Sequence, residues 1–109
     1  MGKSKTDFFS EKQNRLANFT KALGHPARVA IAEHLIENGS SNCGNIVKKL
    51  PLAQPTISQH LKELKTAGLI KRNQQGSGTA YSVNQKAFSK FEKQIKSLFK
   101  KAKKMKNFE

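Results

Sequence analysis

Apolar and polar residues alternate with helical spacing along most of the chain, and the clearest case is the segment AQPTISQHLKELKTAGL at 53–69. Three apolar residues recur there at i, i+4 and i+7 and form one stripe: Ile57, Leu61 and Leu64. Pro55 suits the first helical turn, where its missing N–H is not needed, and Gly68 suits the left-handed position just after a helix end. The pattern predicts a helix with one buried face.

The other face of this helix is polar and lacks acidic residues. It carries Ser58, Gln59, Lys62 and Thr66, with Gln54 and Thr56 at its start. Such groups can bind base edges and phosphates, but any amphipathic helix also has a solvated polar face. Two neighbouring features favour the nucleic-acid interpretation. A short helical segment lies upstream, linked through Leu50-Pro51-Leu52, and a hairpin pattern follows at 69–83. Together they predict a helix-turn-helix at 43–67 followed by a hairpin, which is a winged helix-turn-helix.

The rest of the chain supplies the other elements of that fold. The patterns predict helices at 7–23, 26–38, 43–50 and 85–105, and paired strands at 70–74 and 79–83. The turn between the strands is Gln75-Gly76-Ser77-Gly78, whose glycines would supply positive φ. The helix at 26–38 has a predicted core face of Val29, Ile31, Ala32, Leu35 and Ile36. We therefore expect one domain over 1–109, mainly α (α+β), with about five helices and a two-stranded hairpin wing.

The two terminal helices carry more apolar surface than one small domain would cover. Phe9, Leu16 and Leu23 recur every seven residues, and Phe88, Phe91, Ile95 and Leu98 advance by three or four. The first helix could pack on its own domain or partly face a second subunit. A second copy of the chain would cover both helices, so a homodimer is the expected state.

Two segments resemble a known family. QPTISQHLKELKTAGLIKR is similar to the recognition helix of the ArsR/SmtB repressors, with matches at 54–61 and 67–70. LGHPARVAIAEHL at 23–35 resembles the start of that family's preceding helix. The resemblance covers about 22–84. It implies a sequence-specific repressor that binds double-stranded DNA and dimerises through its first and last helices.

The resemblance also implies roles for individual residues. Those expected in the major groove are Gln54, Thr56, Ser58, Gln59 and Lys62, with His60 and Lys65 at its sides and Lys71, Arg72 and Ser77 on the wing. Those expected at the dimer interface are Phe9, Leu16, Phe88, Phe91, Ile95 and Leu98. His60 either packs or contacts the DNA backbone in the family. Arg28 could touch a phosphate, pair with Glu33 or bind a neighbouring carbonyl. Two copies would read a near-palindromic operator.

The charge of the chain is consistent with a polyanionic partner. The 109 residues carry a net charge of +14 with a pI near 10.2, and residues 85–109 hold nine Lys against two Glu. Nucleic acid is the partner most typical of a basic helix-turn-helix. Two rival hypotheses remain, which are a sequence-tolerant architectural DNA-binding protein and a protein-interaction module on the same fold.

Catalysis, metal binding and membrane insertion are not expected. The three His, one Cys and seven acids show no catalytic or metal-ligand spacing, and Cys43 falls between the positions that a thiolate pair of metal-sensing relatives would occupy. Residues 85–109 contain no His or Asp. We therefore expect no cofactor, no metal and no enzymatic activity. The start of the chain lacks a signal-peptide pattern, which favours a cytoplasmic protein with an unknown effector.

Overall fold

The computed structural model describes residues 5–105. A short 3-10 turn at Lys5–Phe8 precedes five helices: α1 Glu11–Leu23, α2 Pro26–Asn38, α3 Cys43–Lys49, α4 Gln54–Thr66 and α5 Gln85–Lys103. The strands are β1 Ser40–Ser41, β2 Ile70–Gln75 and β3 Gly78–Val83. This is the expected mainly helical winged helix-turn-helix. None of the helices within 5–105 is long and apolar enough to cross a bilayer.

The sheet has three strands, not the two that the sequence predicted. All pairs are antiparallel and the order is β1-β3-β2, with Ser40 and Ser41 opposite Ser82 and Tyr81. Ser41 is buried, and its hydroxyl lies 3.1 Å from the Nε2 atom of His34 on α2. A two-residue strand of small polar residues has no hydrophobic alternation, so only the pairing with β3 makes it a strand.

The hairpin turn is also tighter than expected. Gln75 pairs with Gly78, which leaves Gly76 and Ser77 as a two-residue loop. Gly76 has a φ of 57°, whereas Gly78 is not among the glycines with positive φ and belongs to β3. The prediction that both glycines supply positive φ was therefore wrong for Gly78. A two-residue loop needs left-handed backbone only within the loop.

Helix α1 begins at Glu11, not at residue 7. Ser10 is its N-cap, and the Gln13 N–H donates to Ser10 Oγ at 3.1 Å. In return the Ser10 N–H donates to Gln13 Oε1 at 2.9 Å. This reciprocal capping box satisfies two backbone donors that would otherwise lack partners. The Ser-x-x-Gln spacing was visible in the sequence and could have placed the helix start.

The core lies between α2, α3, α4 and the start of β2. Its fully buried side chains are Ile31, Leu35, Ile46, Ile57, Leu61, Leu64 and Leu69. The predicted core face of α2 was right for Ile31, Ala32 and Leu35 but wrong for two residues. Val29 and Ile36 are 43% and 59% exposed. They are seven positions apart and so lie on one side of α2, turned away from the side that packs on α4.

The end of α4 is fixed by a backbone motif around Gly68. Gly68 has a φ of 82°, and its N–H donates to the Lys65 carbonyl at 2.9 Å. The Leu69 N–H donates to the Leu64 carbonyl at 3.0 Å. These two bonds form a Schellman cap, and the buried pair Leu64 and Leu69 supplies its hydrophobic contact. The predicted cap at Gly68 is confirmed, and it turns the chain from α4 into β2.

Replacing Gly68 with Ala should destabilise the domain because a Cβ is strained at this positive φ. We expect a loss of about 1 kcal/mol in the free energy of unfolding, measured by urea denaturation. Gly78→Ala is the matched control, since Gly78 is exposed in a strand and its new Cβ would meet the Gln75 carbonyl oxygen only at 3.8 Å. Equal losses in the two variants would contradict the role given to the cap.

Candidate nucleic-acid interface

Helix α4 presents one buried face and one exposed face, as its sequence predicted. Ile57 and Leu64 have no exposed surface and Leu61 has almost none. The exposed polar and basic side chains on α4 are Gln54, Thr56, Ser58, Gln59, Lys62, Lys65 and Thr66. These residues therefore form a continuous polar and basic surface on a helix that cannot rotate without exposing its apolar stripe.

Helix α3 holds the start of α4 in place. Its own N-terminus is capped by Asn42, whose Oδ1 accepts from the Asn45 N–H at 2.8 Å. Ile46 is fully buried against the core, and Cys43 Sγ lies 3.7 Å from Ser58 Oγ on α4. The cysteine therefore sits beside the exposed polar face as a small packing residue. Within the described residues, no three His, Cys, Asp or Glu side chains come together as metal ligands.

The structure places His60 inside the domain and not at the side of a groove. Its side chain is only 8% exposed, so the expectation that it flanks the DNA is corrected. Its Nδ1 accepts a hydrogen bond from Arg28 Nε at 3.2 Å, and its ring centroid lies 4.5 Å from that of His25. The packing alternative is therefore the one that the structure supports.

This environment favours the neutral form of His60. Burial is the main cause that lowers its pKa below 6.5, and electrostatic interactions with His25 and Arg28 lower the pKa further. Glu63 acts in the opposite direction and raises the pKa, but it does not prevail. In the neutral ring, Nδ1 can accept the hydrogen bond from Arg28 Nε. In a protonated ring, Nδ1 would carry a hydrogen and could not accept it.

Arg28 binds backbone carbonyls, which decides between the alternatives left open for it. Besides its bond to His60, its Nη1 donates to the carbonyls of Lys21 and Ala22 at 3.4 and 3.3 Å. These carbonyls lie in the last turn of α1, where a cation also favours the helix dipole. One guanidinium thus joins the end of α1, the start of α2 and the middle of α4. The sequence placed Arg28 near this junction but did not show that His60 was its partner.

The wing carries its basic residues on opposite sides. Lys71, Arg72 and Ser77 are all exposed. Side chains of neighbouring strand residues point to opposite faces, so Lys71 and Arg72 do not share a surface. Lys71 instead lines a groove with α1, α5 and the end of α4. Arg72 does not line this groove and points to the other face of the wing.

The terminal helices are covered only in part by their own domain. Phe88 and Phe91 pack on the core, and the rings of Phe91 and Phe19 have centroids 5.4 Å apart. Phe19 on α1 covers one side of Phe91, but both Phe88 and Phe91 stay partly exposed, so their place at a dimer interface remains a prediction. By contrast, Phe9 and Leu98 are 56% and 50% exposed. Leu16 and Ile95 are half-buried.

Comparison with known proteins agrees with this arrangement. Residues 25–72 match the family described as bacterial regulatory protein, arsR family. An HTH-type transcriptional regulator of Methanocaldococcus jannaschii is 41% identical over 73 residues, which cover 67% of this chain and 82% of that protein. The chain belongs to the ArsR family. The ArsR family match contains α2, α3, α4 and the start of β2, which are the elements that form the candidate interface.

Solved structures show the same fold over most of the chain. PagR, a transcriptional repressor of Bacillus anthracis, superposes with a TM-score of 0.65 at 35% identity, covering 79% of this chain and 94% of PagR. An ArsR-like transcriptional regulator from Rhodococcus reaches a TM-score of 0.77 at 20% identity, covering 84% of this chain and 86% of that chain. The second likeness speaks for the fold alone.

The lowered pKa of His60 predicts a loss of stability in mild acid. Well above pH 6.5 the ring is neutral in both the folded and the unfolded state and adds no pH dependence. As the pH falls below 6.5, His60 becomes protonated in the unfolded chain but not yet in the folded protein, because its pKa is lower in the folded state. The free energy of unfolding therefore decreases until the pH passes below the pKa of the folded state.

Urea denaturation between pH 8 and 5 should show this in a comparison of variants. His60→Gln keeps an acceptor for Arg28 but cannot titrate, so its free energy of unfolding should fall less steeply below pH 6.5 than that of the parent. His34→Gln, which removes an imidazole near Ser41, should keep the steep fall. If the difference between His60→Gln and the parent does not change with pH, His60 is not the responsible group.

Proposed function

We propose that this protein, a DNA-binding transcription regulator of the ArsR family, acts as a homodimeric repressor on a near-palindromic operator. In this proposal the exposed face of α4 enters the major groove and reads bases. Arg72 and Ser77 of the wing lie beside the adjoining phosphates, and the cytoplasm is the compartment in which it works. The repressor activity of PagR supports this assignment, since the two chains share sequence and fold.

The observation that carries the proposal is the surface of α4. Gln59 and Ser58 are exposed, while the stripe behind them is buried by α2 and α3. Gln can pair bidentately with adenine and the Ser hydroxyl can serve any base edge, so this face offers direct readout. Lys62 and Lys65 on the same helix add positive charge for the phosphates.

The dimer part of the proposal rests on exposed apolar surface at the two terminal helices. Leu98 and Phe99 on α5 are 50% and 57% exposed, and Phe9 just before α1 is 56% exposed. Leu16 and Leu98 line one groove of about 450 Å³ between α1 and α5. Exposed apolar patches on a small domain mark interaction surfaces. A second copy would cover these residues isologously and would place two α4 helices about one DNA turn, or a multiple of it, apart.

Gln59→Ala should weaken binding to the preferred operator by ~1–3 kcal/mol, because one bidentate base contact is lost. Binding to random duplex, which depends on phosphates, should change little. Gln85→Ala is the matched control, since it truncates an exposed Gln at the start of α5. The operator is first selected from a random duplex library, and affinities are then measured by fluorescence anisotropy at fixed salt. Equal losses on both DNAs would place Gln59 outside the readout and favour a sequence-tolerant protein.

Leu98→Asp should dissociate the dimer because it puts a charge into the apolar contact between subunits. The side chain is half exposed in the single chain, so the variant should still fold. Sedimentation velocity at micromolar concentration should report a monomer, and operator affinity should drop at least tenfold because each monomer reaches one half-site. Ile36→Asp, an equal change at an exposed residue of α2, should stay dimeric. A parent chain that sediments as a monomer at high micromolar concentration would refute the dimer.

A further inference from the structure

An open groove of about 1050 Å³ lies between α1, the end of α4, the start of β2 and the first turns of α5. Its volume is that of a site for a small molecule. The groove is strongly basic, with six cationic side chains at its walls: Arg15, Lys21, Arg28, Lys71, Lys86 and Lys90. Two carboxylates, Glu11 and Glu63, line it as well, which leaves a net charge of +4 from these side chains.

The positive charge of this groove is only partly neutralised by the residues that line it. An ion pair joins Lys96 to Glu92 on α5, and neither of these two residues lines the groove. Arg28 gives hydrogen bonds to carbonyls and to neutral His60, and none of these partners is a carboxylate. Like charges held together around one concave surface repel one another and raise the local concentration of anions.

Helix α5 adds to this imbalance. It is 19 residues long, and its first turn contains Lys86 and no acidic residue. A helix N-terminus carries partial positive charge, so a lysine there is unfavourable unless an anion lies nearby. The floor of the groove is different in character, since Phe19, Ala22 and Ala87 are apolar and nearly fully buried. The groove thus combines a cationic rim with an apolar floor.

We propose that this groove binds a small molecule carrying two or more phosphate groups, and that its occupancy regulates DNA binding. Several cations spread around a groove match a ligand with several phosphate groups better than a ligand with one negative charge. Lysine binds each phosphate as a point charge. The half-buried Arg15 and Arg28 lie in a concavity where a rigid duplex would make poor contact. A small anion is therefore favoured over the backbone of DNA.

The position of the groove gives it a route to the DNA-binding surface. Thr66 and Gly68 at the end of α4 and Lys71 at the start of β2 form one wall, while α1 and α5 form the other. A bound polyphosphate would neutralise positive charge beside α4 and so weaken attraction for DNA. This regulatory part rests on the proposed function, whereas binding of the anion itself does not.

Isothermal titration of the full chain with inorganic triphosphate at 0.15 M NaCl tests the site without DNA. We expect saturable binding at least tenfold tighter than that of inorganic phosphate. Lys86→Gln with Lys90→Gln should weaken triphosphate binding tenfold or more. The matched control is Lys100→Gln with Lys103→Gln, which removes the same charge from exposed positions on the same helix outside the groove. The control should bind triphosphate within twofold of the parent, and circular dichroism should show both variants folded.

Equal weakening in the two double variants, or no saturation by triphosphate, would overturn the site. Anisotropy with a short random duplex gives the second readout. Saturating triphosphate should lower duplex affinity at least threefold for the parent and less for Lys86→Gln with Lys90→Gln. Suppose that triphosphate does not saturate the protein, and that Lys86→Gln with Lys90→Gln loses more duplex affinity than the control does. The groove then contacts the phosphates of DNA, and the proposal fails. A parent that binds triphosphate but no duplex would refute the proposed function alone.

Discussion

Burial of the apolar stripe on α4 is the constraint on which the candidate interface depends. Ile57, Leu61 and Leu64 each contribute about 1.5–3 kcal/mol by leaving water. That energy fixes the rotation of the helix, so Ser58, Gln59 and Lys62 must face outward. A helix that could roll would present a mixture of surfaces, and base readout needs donors and acceptors held at one angle.

The junction of Arg28 and His60 adds a polar constraint to this apolar one. Apolar packing sets which face of α4 is buried, whereas the guanidinium sets how α4 sits against the ends of α1 and α2. Because α1 also carries part of the apolar surface of the terminal helices, this junction connects the proposed subunit interface to the proposed DNA-binding helix, α4. Its cost is a buried imidazole that must stay neutral, which makes the connection sensitive to acid.

Charge acts at longer range than either contact. The chain carries +14, and much of it lies on α5 and around the groove beside the end of α4. In the proposed function, this charge draws DNA to the protein whatever the DNA sequence, while the few neutral side chains on α4 supply sequence discrimination. The charge and the base-reading side chains lie on different surfaces. An anion in the groove would therefore change the overall affinity for DNA and leave the sequence preference intact.

The sequence by itself determined the helices, the wing and the exposed face of α4, because each depends on local periodicity, on glycine or proline, or on residues close in the chain. It also located Gly68 as a cap. Only the tertiary structure decided the third strand, the burial of His60, the exposure of Val29 and Ile36, and the cover that Phe19 gives Phe91. Each of these depends on a partner distant in sequence, such as Arg28 for His60 across 32 positions. Periodicity gives the faces of a helix but not what lies against them, since contact with a distant element leaves no local pattern.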